Sequence, residues 1–214
     1  PHLSKEEALL VLKAFKERYK KLSEDKNIAY VSMFHNWGPT AGASVYHPHY
    51  QIIAIPVVPP GVWHSLEGAL RYKKNKKTCA HCVQIWWEIE QKKRIIFENK
   101  AFTVVCPFAS RVAFEIRIYP IEHHAHFERI NEQQKQDLAE ALQEALKRLH
   151  KGLRDPDYNY FIHTAPVDTQ NYDHYHWHME ILPKTATWAG FELGAGIEIS
   201  TIEPEKAAEF LRKQ

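Results

Sequence analysis

The run His47-Pro-His49-Tyr-Gln51 sets two imidazoles and an amide at alternate positions, and His176-Trp-His178-Met-Glu180 repeats the spacing with a carboxylate in third place. A β-strand points alternate residues to one face, so each triplet is predicted to project together. Polar groups on one face of otherwise apolar strands are costly to bury unless they bind something. Imidazole is a good nitrogen nucleophile near neutral pH, where much of it is uncharged. Its attack on phosphorus gives a phosphoramidate, reactive enough to pass the group on. Gln51 can donate to a phosphoryl oxygen without adding charge. The loop ahead of the first triplet, Gly38-Pro-Thr-Ala-Gly-Ala-Ser44, offers backbone N–H groups and the Ser44 hydroxyl, an arrangement suited to an anion.

Cys79-Ala-His-Cys82 is half of a zinc site. A redox role fits less well, because no thioredoxin-like βαβ pattern surrounds it. A tetrahedral site needs two more ligands, drawn from His81, His123, His124, His126, His163, His174, His176 and His178. His123, just after a strand and Pro120, and His176, in the second triplet, are the favoured pair; His163 and His178 stay open as the fourth ligand. The resulting set is Cys79, Cys82, His123 and His176. Cys106, in an apolar strand, reads as an inert core thiol.

The elements that must position these residues read as follows. Ser4 and Glu7 form a capping box ahead of a helix over 4–22 whose Ala8, Leu12, Phe15, Tyr19 and Leu22 share one face. Strands follow at 28–34 and 47–58, closed by Pro59-Pro60-Gly61. The same order returns: Asn131 and Gln134 cap a helix whose Leu138, Leu142, Ala145 and Leu149 stand 130 positions after Ala8, Leu12, Phe15 and Tyr19. Strands follow at 158–163 and 175–182. The H-x-H pairs are 129 positions apart, so two landmarks agree on an internal repeat. Ahead of the second helix lie the C-x-x-C on a predicted turn and strands near 94–97, 102–106 and 113–119. By the same offset, the first copy's counterparts of these would precede residue 1. The expected organisation is a truncated first unit over 1–65 and a complete second unit over 66–214. Lys73 to Lys77 reads as a solvated loop, and a short helix opens at Pro204.

Composition bounds the rest. The chain has 214 residues, 44% hydrophobic and 12% aromatic, enough for a real core and against disorder. No apolar run reaches the roughly 18 residues of a membrane span. A net charge of +2 argues against nucleic-acid binding. Three cysteines, two of them in one C-x-x-C, and no signal-peptide pattern point to the cytoplasm. Fourteen histidines, many clustered, are the unusual feature.

Over its whole length the chain resembles galactose-1-phosphate uridylyltransferase, of the histidine-triad superfamily. The resemblance rests on Phe34-His-Asn36-Trp-Gly38 through His47-Pro-His49-Tyr-Gln51, Cys79-Ala-His-Cys82, Pro107-Phe-Ala, Arg111-Val-Ala-Phe-Glu, Pro120-Ile-Glu-His123, His176-Trp-His178-Met-Glu-Ile-Leu-Pro and Ala189-Gly-Phe-Glu192. It implies an α+β fold of histidine-triad-like antiparallel sheet units with packed helices. It also implies ping-pong transfer of UMP between a UDP-sugar and a hexose 1-phosphate, with Zn2+ and a homodimer. By the same resemblance His49 is the nucleophile, Asn36, Ser44 and Gln51 contact phosphates, and Phe191 and Glu192 reach a neighbouring subunit's hexose. His47 matches a ligand of a first-half zinc whose cysteines are not in this sequence. Tyr50 replaces a small residue and is expected to narrow the nucleophile's surroundings. Ser65 stands where some members carry a metal-ligating Glu, which favours the C-x-x-C type of site. Related members act on ADP-glucose or dinucleoside polyphosphates, so these motifs leave the base open. A non-catalytic, zinc-stabilised nucleotide-binding domain is the alternative outside enzymes.

Overall fold

The computed structural model describes residues 3–45, 47–168 and 170–214; Tyr46, immediately before the H-P-H run, lies outside them. Seven strands form one antiparallel sheet: β1 (Tyr30–Trp37), β2 (Tyr50–Ile55), β3 (Ile95–Glu98), β4 (Phe102–Val105), β5 (Ile116–Pro120), β6 (Tyr158–His163) and β7 (His178–Pro183). Their order is β2-β1-β6-β7-β5-β4-β3. The α+β class expected from the sequence is what the chain adopts.

Helices α1 (Lys5–Leu22) and α4 (Glu132–Leu153) begin in the expected capping boxes, at Ser4 with Glu7 and at Asn131 with Gln134. Each reciprocal pair satisfies N–H groups that a helix start leaves open. The two helices pack on each other and on one sheet face. Strand alternation supplies the other half of this core: Val31 and Met33, Tyr160 and Ile162, Met179 and Ile181, and Ile116 and Ile118 are all buried there. The terminal helix α6 (Pro204–Arg212), predicted from Pro204, adds Ala207, Ala208 and Leu211 to this core.

The opposite face carries two helices that the sequence reading missed. Pro60 begins α2 (Pro60–Lys76), where a first-turn proline loses no helical hydrogen bond. Lys73, Lys74 and Lys76 therefore lie in a helix's last turn, and not in a loop, with Lys77 as a left-handed cap. Cys79 is the N-cap of α3 (Ala80–Gln91), so the C-x-x-C opens a helix and is not a turn. Helix α2 buries Val62, Leu66 and Ala69 against Tyr30, Tyr172 and Tyr175; α3 buries Ile85 against Ile95, Val105 and Tyr119. The second strand is shorter than expected, beginning at Tyr50, so His47 and His49 sit in the segment that leads into it. The short helix α5 (Gly190–Ala195), which buries none of its residues, was also unforeseen.

Helix-strand-loop-strand occurs twice, as α1-β1-β2 and α4-β6-β7, and the two copies meet where β1 pairs antiparallel with β6. The sheet thus runs unbroken between them.

Candidate functional site

The open part of the second face is the H-x-H end of β2, with β1, β6 and β7 beside it. The register Phe34↔Gln51 and His35↔Tyr50, continued by one residue, sets His49 across from Asn36. By that alternation Asn36, His49 and Gln51 share one face. Tyr50 alternates to the other side and stacks on the buried His35 ring at 4.5 Å. It does not crowd the nucleophile position, which corrects the expectation. His35 in turn bonds through Nδ1 to the His49 carbonyl oxygen at 2.9 Å, fixing that peptide from behind.

The His49 ring is oriented by its own backbone. Its Nδ1 lies 2.9 Å from the His47 carbonyl oxygen. A carbonyl only accepts, so Nδ1 carries the proton and Nε2 keeps its lone pair in the neutral ring. That is the tautomer a nucleophile needs. His178 does the same toward the His176 carbonyl oxygen, at 3.1 Å, so the repeat extends to ring orientation. The two copies then diverge. His49 is half-buried, whereas His178 is sealed, packed on His163 at 4.8 Å and His81 at 5.1 Å. Burial pushes His178 well below its ordinary value, and the neighbouring His163 and His81 add to it.

The second copy supports the first. Asn159, paired with Asn36 in the β1–β6 register, donates from Nδ2 to Asn36 Oδ1 and to the Ala41 carbonyl oxygen, both at 2.8 Å. With Oδ1 so engaged, the Asn36 amide nitrogen is left as a donor for the site face. Asp157 accepts from the Thr40 N–H at 2.6 Å and from its hydroxyl at 2.5 Å. It thereby holds the Gly38–Gly42 turn, whose short 3-10 segment at Pro39–Ala41 precedes the exposed Ser44. Gly38 has φ +82°, and a Cβ there would fall 1.9 Å from Asp157 Oδ1. Gly38→Ala is therefore expected to displace the loop. We expect a loss of about 1–3 kcal/mol in thermal denaturation, the scale of a strained backbone position. Gly61→Ala, on α2 with no atom within 4 Å of the new methyl, is the neutral comparison.

Sequence reasoning missed Asn159, Asp157 and His35. The first two act across strand pairs that only the fold defines, and His35 faces the helices.

Glu180 stands where Gln51 stands in the first copy. It accepts from His163 Nε2 at 3.0 Å and from Arg111 Nη1 at 3.0 Å, with Arg117 Nη2 at 3.7 Å. Burial alone would raise its value, but the His163 hydrogen bond and the Arg117 and Arg111 guanidiniums overcome it and draw it down to about 2. A carboxylate held below its unfolded value, near 4.5, stabilises the fold above that pH and loses the contribution as pH falls toward 2. Glu180→Gln is expected to cost about 3–5 kcal/mol, as when a buried pair loses one partner, and to flatten this acid limb. Urea unfolding followed from neutral pH downward reads both effects.

His163, His178 and Glu180 bring three ligand atoms within 4.8 Å of one another. The two guanidiniums on Glu180 oppose a cation there. Cys79, Cys82, His123 and His176 form a second cluster within the same 4.8 Å limit, matching the predicted set. His123 Nδ1 is 3.2 Å and His176 Nδ1 3.4 Å from Cys82 Sγ. Each imidazole turns its other nitrogen to a backbone carbonyl: His123 Nε2 to Asp173 at 3.0 Å and His176 Nε2 to Pro120 at 2.9 Å. Those carbonyls fix the proton on Nε2 and leave both Nδ1 lone pairs aimed at the sulfurs, the outer-shell arrangement of a metal ligand. A hydrogen bond from Cys82 draws the Cys79 thiol down to about 3 against its burial, and Cys82 is pushed up. All three cysteines are free. The donor set thus suits a metal ion. Cys106 is fully buried, and burial raises its thiol far above the ordinary value, in keeping with an inert role.

Phe191 and Glu192 lie on α5, apart from these groups. Glu192 accepts from the Ala189 N–H and so caps its own helix. Trp188, Phe191, Leu193, Ile197 and Ile199 are all exposed along this arm. Arg111 ties it to the sheet, with Nε and Nη2 at 2.5 and 2.7 Å from the Glu198 carboxylate while Nη1 reaches Glu180.

A family model described as a domain of unknown function (DUF4921) matches residues 2–214. A solved uridylyltransferase superposes with a TM-score of 0.92 at 30% identity, covering 99% of this chain and 68% of that one. The chain belongs to the galactose-1-phosphate uridylyltransferase-like family. Within that family it is 37% identical to ADP-glucose phosphorylase of Arabidopsis thaliana, over 95% of this chain and 57% of the relative. It is 29% identical to galactose-1-phosphate uridylyltransferase of Thermotoga maritima, over 92% of this chain and 64% of the relative. An Arabidopsis ADP-glucose phosphorylase structure with bound ADP-glucose gives a TM-score of 0.90 at 35% identity, covering 97% of this chain and 67% of that one. The chain spans about three fifths of the length of these two curated relatives. Among the described residues, no helix is long and apolar enough to cross a membrane.

Proposed function

We propose that the chain carries the nucleophile half of a nucleotidyltransferase acting on nucleoside diphosphate sugars. One observation carries this reading: the His49 ring is held in the tautomer that leaves Nε2 free, beside Asn36, Gln51 and the Gly38–Ser44 loop. Nε2 attacks the α-phosphorus, the N–P bond forms, and the bond to the bridging oxygen breaks. Hexose 1-phosphate leaves with that oxygen. Asn36, Ser44 and Gln51 hold the phosphoryl oxygens through neutral donors. An acceptor phosphate oxygen then attacks the phosphorus and frees His49.

The similarity to ADP-glucose phosphorylase supports ADP-glucose as donor and inorganic phosphate as acceptor. The uridylyltransferase relatives support the second reading, UMP transfer from UDP-glucose to galactose 1-phosphate. A single-turnover burst with ADP-glucose and with UDP-glucose separates them: the donor that gives a stoichiometric burst of hexose 1-phosphate is the substrate. A burst with neither would overturn the reading.

The two-unit organisation, 1–65 and 66–214, is supported by the doubled helix-strand-loop-strand and by the paired His49 and His178 geometries. Zn2+ is the proposed occupant of Cys79, Cys82, His123 and His176, a closed structural site. The exposed apolar arm with Phe191 and Glu192 supports a homodimer in which the arm reaches the partner's sugar site. Light scattering at tens of micromolar is expected to read a dimer, and Phe191→Asp with Leu193→Asp a monomer; an unchanged dimer would place the interface elsewhere.

A further inference from the structure

His35 is a polar side chain on the sheet face that packs against α1 and α4. Along β1 it alternates with Val31, Met33 and Trp37, which belong to the main core, and its own residue is only 2% exposed. A polar group buried among apolar ones is costly unless it is hydrogen-bonded. Nδ1 of His35 donates to the His49 carbonyl oxygen at 2.9 Å. Aromatic rings hold it in that orientation, with Tyr50 stacked at 4.5 Å, Tyr160 at 5.3 Å and Tyr158 at 6.0 Å. Burial draws the ring below its ordinary value, so it supplies this donor without a charge at neutral pH.

The second copy shows what this donor is for. Its register pairs Phe161 with Glu180 and Ile162 with Met179, as the first pairs Phe34 with Gln51 and His35 with Tyr50. Gln51 and Glu180 close the two triplets, so Ile162 and Met179 stand where His35 and Tyr50 stand. Neither can donate to a carbonyl. His178 does not need it: it is the first residue of β7, paired with His163, and it is sealed. Strand β2 begins one residue later in its triplet, at Tyr50, so His49 lies just past the last paired position and is only half-buried. We propose that His35 is a positioning residue for the nucleophile. It pins the His49 carbonyl and so keeps the His49 ring turned toward the His47 carbonyl, with Nε2 free. It does at an open strand end what pairing and packing do for His178. The consequence for transfer rests on the nucleotidyltransferase reading; the consequence for the ring does not.

Proton–nitrogen NMR of histidine-labelled protein reads the tautomer, with His49→Ala identifying the His49 signal. The wild-type ring is expected in the Nδ1–H form. His35→Leu, which copies the apolar second copy, should add the Nε2–H form. His35→Asn, whose amide nitrogen takes the place of Nδ1, should keep the wild-type form. Tyr50→Met, which copies Met179 and strips the ring stacked on His35, should shift the tautomer the same way by less, and it decides the matter if His35→Leu does not fold. With the sugar nucleotide that gives a burst, His35→Leu should slow formation of the His49 adduct about 10–100-fold at saturation, the cost of misplacing a reacting group. The half-saturating concentration should stay the same, because Asn36, Ser44 and Gln51 still hold the phosphates, and His35→Asn should restore most of the rate. A His49 tautomer unaltered in both His35→Leu and Tyr50→Met, or a rate loss that His35→Asn does not restore, would overturn the proposal. The tautomer is read without substrate, so a protein that forms no adduct would refute the transfer reading and leave this proposal to be decided by the NMR alone.

Discussion

Cys79→Ser is expected to unfold the second half of the sheet at ordinary temperature, and chelation of the wild-type protein to do the same. Cys79 and Cys82 enter on α3, His123 follows β5, and His176 precedes β7. One ion would therefore tie three elements that are far apart in sequence. In the unfolded chain these ligands are scattered, so the binding free energy becomes folding free energy, on the order of 10 kcal/mol. Elemental analysis should find close to one zinc per chain, with thermal denaturation shifting sharply after chelation. The preset Nδ1 lone pairs of His123 and His176 are what make the prediction specific: His123→Ala should behave like Cys79→Ser, whereas loss of the neighbouring His124, which contacts Glu122, should not. A metal-free protein of unchanged stability would refute it.

His49→Ala is expected to lower nucleotidyl transfer at least ~10⁴-fold, the scale of losing the nucleophile of a covalent mechanism. Stability should barely change, because the ring is half-buried and, among the described residues, its hydrogen bond goes to its own backbone. His178→Ala tests the asymmetry between the copies. It removes a sealed, packed ring, so it should lower thermal stability, and its effect on rate should follow only from that. Steady-state rates compared at a temperature where both variants are folded separate the two roles.

Much of this was legible in the residues. Capped, strongly periodic helices announced α1 and α4, and Tyr158–His163 is a strand as read. The cluster of Cys79, Cys82, His123 and His176 was legible because the repeat singled out His176 and Pro120 turned the chain back at His123. What escaped depends on tertiary context. Pro59-Pro60-Gly61 reads as a break, yet Pro60 is an ordinary first helical residue once α2 has Tyr30 and Tyr175 to cover. Cys79-Ala-His-Cys82 reads as a turn, yet it opens α3, which buries Ile85 and Glu88 one turn apart and leaves Trp86 in solvent. The pairings Asn36–Asn159 and Thr40–Asp157 join positions more than a hundred residues apart. They exist only because β1 and β6 are neighbours, which no local pattern encodes. Tyr50 was misjudged because the proximity of His49 in sequence hid that they face opposite sides of the sheet.

In the proposed reaction His49 Nε2 forms a bond to phosphorus. Incubating the protein with ADP-glucose and with UDP-glucose, quenching in base and mapping peptides by mass reads it directly. A phosphoramidate survives base and is lost in acid, because protonated nitrogen leaves readily. The expected result is one nucleotidyl group on His49, base-stable, acid-labile and absent in His49→Ala. A nucleotidyl adduct on any other residue, or one undiminished in His49→Ala, would contradict it.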